Sequence, residues 1–140
     1  MNEKKVDPVE TSASLESRFH PPGNIYGGHR PASGAQATFT AAATVGGEKY
    51  VVSGFSATLS GVALSAGSIG VYIIDGASGG TTYLWQEVLG VSSIGATTRM
   101  SDLNIVGTAN TALTIEFSGA YTGGQESVNI AYHKLAGNNA

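Results

Sequence analysis

From residue 35 onward, apolar and polar side chains in this chain alternate with a period of two. That pattern fits one face of a strand and no face of a helix. The segment from Thr111 to Ser118 carries it most cleanly, with Leu113, Ile115 and Phe117 on one side and Thr114, Glu116 and Ser118 on the other. Lys49 to Ser60 is a longer strand. It places Phe55, Ala57 and Leu59 opposite Ser56, Thr58 and Ser60, and its interior Gly54 marks a bulge or bend. Ser68 to Asp75 sets Ile69, Val71 and Ile73 on one face and Tyr72 and Ile74 on the other, so both of its faces are expected to be partly covered. Further strands are predicted over Gln36–Ala43, Thr81–Leu89, Gly95–Asn104 and Gln125–Lys134, the last with Val128, Ile130 and Tyr132 inward. Glycine-rich turns separate them at Gly46-Gly47, Asp75–Gly80, Gly107–Asn110 and Gly119–Gly124.

Seven or eight short strands with no long helical pattern define an all-β chain, expected to form a single β-sandwich of jelly-roll-like type. Composition agrees. Only 12% of residues are charged, with 20 glycines, against about 25% charged in an average domain. Such a surface offers little electrostatic resistance to packing against other protein. Few strand positions carry the Lys, Glu or Pro that protect exposed sheet edges, so neighbouring molecules are expected to cover them.

The first 34 residues differ. Residues 1–30 hold eight charged groups, Glu3, Lys4, Lys5, Asp7, Glu10, Glu16, Arg18 and Arg30, and the remaining 110 residues hold nine. Three of the four prolines, together with Gly27-Gly28, fall between His20 and Gly34 and favour extended chain and turns. This divides the chain into an extended N-terminal arm, residues 1–34, and a β-sandwich domain, residues 35–140. The spacing in Thr11–Glu16 admits one helical turn. An arm this charged and this poor in apolar residues cannot offset the roughly 1–2 kcal/mol that ordering each residue costs. It is therefore expected to order on a partner surface, with Val6, Val9, Leu15, Phe19, Ile25, Tyr26 and Arg30 making the contacts.

Several function classes find no support. The net charge of −3 lacks the basic footprint of a nucleic-acid binder. No run of about 18 apolar residues suits a membrane span, and the charged N-terminus lacks the apolar stretch of a secretory leader. Synthesis in the cytoplasm is expected. The absence of cysteine removes disulfides and thiolate metal sites.

Gly76-Ala77-Ser78-Gly79-Gly80 matches the G-x-S-x-G string of serine hydrolases, but that motif needs a strand-to-helix elbow and here lies between two strands. His20, His29 and His133 lack the spacing of a metal site. Asp75, Glu87, Asp102, Glu116 and Glu126 read as solvated strand-face or turn residues, not as a glycosidase pair. No catalytic residue, cofactor or metal is expected, and the chain reads as a non-enzyme. Tyr72, Tyr83 and Trp85 could form a sugar-stacking platform, although their strand spacing favours core or interface packing.

Residues 35–132 resemble a small structural domain of tailed-bacteriophage virion proteins. The resemblance rests on Ala37-Thr38-Phe39-Thr40, on Gly-Phe-Ser-Ala-Thr-Leu-Ser-Gly at 54–61, on the stretch Asp102 to Phe117 and on Glu126 to Tyr132. It implies a capsid decoration (cement) or head-fibre protein without an active site. Such a protein would sit on the outer capsid surface of the virion, bound to the major capsid protein and to neighbouring copies of itself as a homo-oligomer. Removing residues 1–30 is then expected to abolish capsid binding and leave the domain folded. The alternative is a carbohydrate- or receptor-binding module of a phage fibre or tail, which predicts an exposed Trp85 or Tyr83.

Overall fold

Among the described residues the alternating segments pair as nine strands. The computed structural model describes residues 23–60, 68–90, 95–121 and 123–137. The strands are β1 (Ile25–His29), β2 (Thr38–Ala41), β3 (Lys49–Ser60), β4 (Ser68–Asp75), β5 (Tyr83–Gly90), β6 (Gly95–Met100), β7 (Ile105–Val106), β8 (Leu113–Phe117) and β9 (Gln125–Leu135). Among the described residues there is no helix. Sheet A runs β1-β9-β3-β6, with the two-residue β7 also on β3, and sheet B runs β2-β8-β4-β5. Every pairing is antiparallel. The partners β1–β9, β2–β8, β3–β6 and β4–β5 are those of one long ribbon rolled on itself, closed by β9 on β3 and β8 on β4. Two antiparallel sheets thus face each other, the all-β sandwich expected from the sequence.

The core lies between the two inner faces. Sheet A contributes Val52, Phe55, Ala57 and Leu59 from β3 and Val128, Ile130 and Tyr132 from β9. Sheet B contributes Ile69, Val71 and Ile73 from β4 and Leu113, Ile115 and Phe117 from β8. On β3, β4, β8 and β9 the sets that the alternation placed together, Phe55 to Leu59, Ile69 to Ile73, Leu113 to Phe117 and Val128 to Tyr132, all face inward, and Val52 and Glu126 join them. In β3 the register with β9 shifts between Val52 and Gly54, so Ser53 is the extra residue of a bulge. A Cβ at Gly54 would lie 2.9 Å from the Met100 carbonyl oxygen, which explains the glycine.

Both faces of β8 are buried, as they are along much of β4. The Asp75–Gly80 loop folds back over the outer face of sheet B. There the Gly76 carbonyl accepts from Thr114 Oγ1 at 2.8 Å, while Ser78 Oγ and the Gly79 N–H donate to Glu116 at 2.6 and 3.1 Å.

The boundary region differs from its sequence reading as arm and turns. Residues 25–29 form the edge strand β1, in register with β9 from Ile25↔Tyr132 to His29↔Val128. Gly27 pairs with Ile130 in this ladder and has to be glycine because the ring of Phe39 lies directly against it, where any Cβ would sit inside the ring's van der Waals envelope. His29 Nδ1 accepts the Thr38 N–H at 3.0 Å and ties β1 to β2. Between them the chain is bound to the start of β9, with the Gly34 N–H donating to the Gly124 carbonyl at 2.8 Å and Gln125 Nε2 donating to the Pro31 carbonyl. Gly27→Ala should therefore displace the Phe39 ring at a cost of roughly 1–3 kcal/mol. Hydrogen exchange of the β1 amides should speed up with it, and unchanged protection there would show that the contact does not hold the edge.

Candidate functional site: the outer face of sheet A

The bulge at Ser53 lies in a concave stretch of the outer face of sheet A. Residues of sheet A that alternate with the core-facing set point outward, and two rows of them cross the sheet. Gly28, Asn129, Ser56 and Arg99 form one row, and Tyr26, Ala131 and Gly54 form the next. Glycine and alanine leave the middle of the face without bulk. The result is an open trough of about 1210 Å³, bounded by Asn24 and Tyr26 on one side and by Arg99 to Leu103 on the other. His133 and Lys134 line one end. Tyr26 is 52% exposed at the rim, Arg99 is exposed, and Asp102 occupies a left-handed turn at φ 58°.

Within the trough, Ser53 Oγ donates to Asn24 Oδ1 at 3.1 Å and lies 3.4 Å from His133 Nδ1, which in turn lies 3.2 Å from Asn24 Oδ1. The residue types are those of a nucleophile relay, but the geometry is different. A relay uses the two ring nitrogens of histidine for different partners. Here a single ring nitrogen faces both Ser53 and Asn24, so the group is a polar cluster fastening the residue before β1 to β3 and β9. Asn129 Nδ2 adds a long 3.4 Å contact to Ser56 Oγ.

The other candidates from the sequence are dispersed. Val6, Val9, Leu15 and Phe19, the turn at residues 11–16 and His20 lie outside the described residues. Ile25 and Tyr26 are both exposed on β1, and Arg30 is exposed just beyond it. Gly76–Gly80 is a loop between two strands, and Ser78 is engaged with Glu116. The aromatic platform is divided. Tyr72 and Tyr83 stack on the outer face of sheet B with centroids 4.6 Å apart, whereas Trp85 shares the inward side with Ile73 and lies 5.8 Å from Phe55. Among the described residues no cluster of three or more His, Asp or Glu is placed to hold a metal ion, and no helix is long and apolar enough to cross a membrane.

Two carboxylates read from the sequence as solvated are buried. Glu116 is 4% exposed under the Asp75–Gly80 loop, where Ser78 and Thr38 hydroxyls donate to its Oε1. Glu126 shares the inward face of β9 with Val128 and is 0% exposed. Its Oε1 accepts the Ala37 N–H at 2.8 Å, and its Oε2 is buried with no partner among the described residues. Burial pushes the Glu126 carboxyl above its usual value, against the opposing effect of backbone hydrogen bonds at Ala37 and Tyr121. The sequence signal was its register, since Glu126 is two residues before Val128 and so on the core side.

No family model and no curated protein matches the chain. Among solved structures, a chain of the cyanophage Pam1 capsid asymmetric unit is 17% identical over 81% of this chain and 88% of that one, with a TM-score of 0.39. A tomato aspermy virus chain is 13% identical over 94% and 97%, with a TM-score of 0.34. A chain of the extra small virus particle of the giant freshwater prawn Macrobrachium rosenbergii is 12% identical over 79% of each, with a TM-score of 0.32. At these TM-scores the likenesses carry no argument about function.

Proposed function

We propose that this chain is a structural virion protein that decorates a phage head. In this reading it is a cement protein on the outer capsid surface, which bridges the major capsid protein and neighbouring copies of itself as a homo-oligomer. Residues 1–22 are the clip, anchored by Val6, Val9, Leu15 and Phe19, with Ile25 and Arg30 at its root. The observation that carries this reading is the locked root of the arm. Residues 25–37 are stitched to the body by the β1–β9 ladder and by the bonds to His29, Gly124 and Glu126. A load on the arm therefore passes into a sheet and not into a linker. The charge-poor body favours close packing on a lattice, and the resemblance to tailed-phage virion domains points the same way.

The root also decides where to cut. Deleting residues 1–30 would remove β1 along with the arm, so the informative deletion is 1–22. That variant is expected to keep its cooperative unfolding transition within a few tenths of a kcal/mol and to lose essentially all occupancy on purified heads, read by cryo-EM of decorated particles. Full occupancy without residues 1–22 would sink the clip. Density for the domain only at a fibre tip or tail would favour the receptor-binding alternative.

A further inference from the structure

We propose that the trough on sheet A is a binding site for an acidic saccharide, one whose sugar rings carry carboxylates. The side chains around it are of the kinds that recognise sugars. Tyr26 offers a half-exposed flat ring at one rim, suited to stacking on the apolar face of a pyranose. Ser56 on β3 and Asn129 on β9 place a hydroxyl and a planar amide on neighbouring strands about 4.8 Å apart, a step comparable with the width of a sugar ring, and Asn24 adds a second amide just before β1. The middle of the face is Gly54 and Ala131, so a ligand can come close to the sheet without displacing a side chain.

The charge of the trough selects the acidic class. Arg30, Lys49, Arg99 and Lys134 are the cations among the described residues, and two of these four line the trough, against Asp102 alone of the acids. In a chain of net charge −3 this is a local reversal of sign. A guanidinium fork pairs with a carboxylate in bidentate fashion, which fits Arg99 to a uronate. A peptide strand is the weaker occupant, because the backbone groups of β9 and β3 that form the floor are already taken up in the sheet ladders and offer no edge to pair with. Nucleic acid would need a basic stripe longer than two residues.

This site lies on a different face from the Tyr72–Tyr83 pair and does not depend on the capsid reading. It is tested on the free, full-length protein. The probe is a hexamer of galacturonate, titrated in ¹H–¹⁵N NMR at low salt, with maltohexaose as the neutral comparison. Saturable shifts are expected to concentrate at residues 54–56, 99–102 and 129–131. The affinity should fall at least tenfold in Arg99→Ala and severalfold in Tyr26→Ala, and should stay unchanged in Lys49→Ala. Arg99 and Tyr26 are exposed, so neither substitution threatens the core. Equal binding of maltohexaose would overturn the acidic assignment. An absence of saturable shifts would overturn the site itself, as would an affinity that Arg99→Ala leaves untouched.

Discussion

Phe117→Ala is expected to lower the free energy of unfolding by about 3–5 kcal/mol, the range for deleting a fully buried aromatic ring. Phe117 is 0% exposed and ends β8, where it opposes Val71 of β4 across sheet B. Its backbone N–H donates to the Ala37 carbonyl at 3.2 Å, and its carbonyl accepts from Gln36 Nε2 at 2.6 Å. The backbone at this position is thus held by the chain entering β2, and it has little freedom to collapse into a cavity. The loss would take a large share of the roughly 5–15 kcal/mol that stabilises a domain. Urea denaturation against Val88→Ala is the measurement. Val88 is 60% exposed on the edge strand β5, so that variant should stay within about 0.5 kcal/mol of the parent. A Phe117→Ala loss below about 1 kcal/mol would mean that the two inner faces are not packed against each other as described.

What the sequence discloses follows from how local each feature is. β8 and β3 are legible because alternation is a property of consecutive residues, and Gly54 marks its bulge with a residue type. The rolled strand order is partly legible, since strand count and turn spacing restrict the options, but the closure of β9 on β3 joins residues some 80 positions apart. β1 is hidden because Gly27-Gly28 has the composition of a turn, and only the ring of Phe39 explains it as strand. Glu116 is hidden for a related reason. Its own strand places it outward, and a loop contributed by residues 75–80 covers it. The trough was not legible at all. Its side chains come from β1, β3, β6 and β9, and no single stretch of sequence carries more than a few of them. Tyr26 was singled out as an arm contact, and the structure sets it at the rim of that surface.

Glu126 should make the protein less stable as pH rises. Its carboxyl is fully buried and displaced upward from 4.5 by desolvation, so the folded state holds its proton more tightly than the unfolded chain does. For an acid shifted in this direction the stability contributed by the protonated form is complete below the unfolded value. It is lost as pH climbs from there to the folded value, by at most about 1.4 kcal/mol per unit crossed, and then levels off. The backbone hydrogen bonds at Ala37 and Tyr121 oppose the loss without cancelling it, since desolvation is the larger effect. Glu126→Gln keeps an oxygen for the Ala37 N–H and removes the ionisation. The difference in unfolding free energy, variant minus parent, should therefore increase in the variant's favour from pH 4 to pH 8. Because the other titrating groups are common to both proteins, that difference isolates Glu126. Urea midpoints at pH 4, 6 and 8 check it, with hydrogen exchange at Ala37 locating the effect. Parallel curves across this range would mean that the carboxylate is solvated in the folded protein, and the burial of the β9 entrance against the Pro31–Ala37 crossing would have to be abandoned with it.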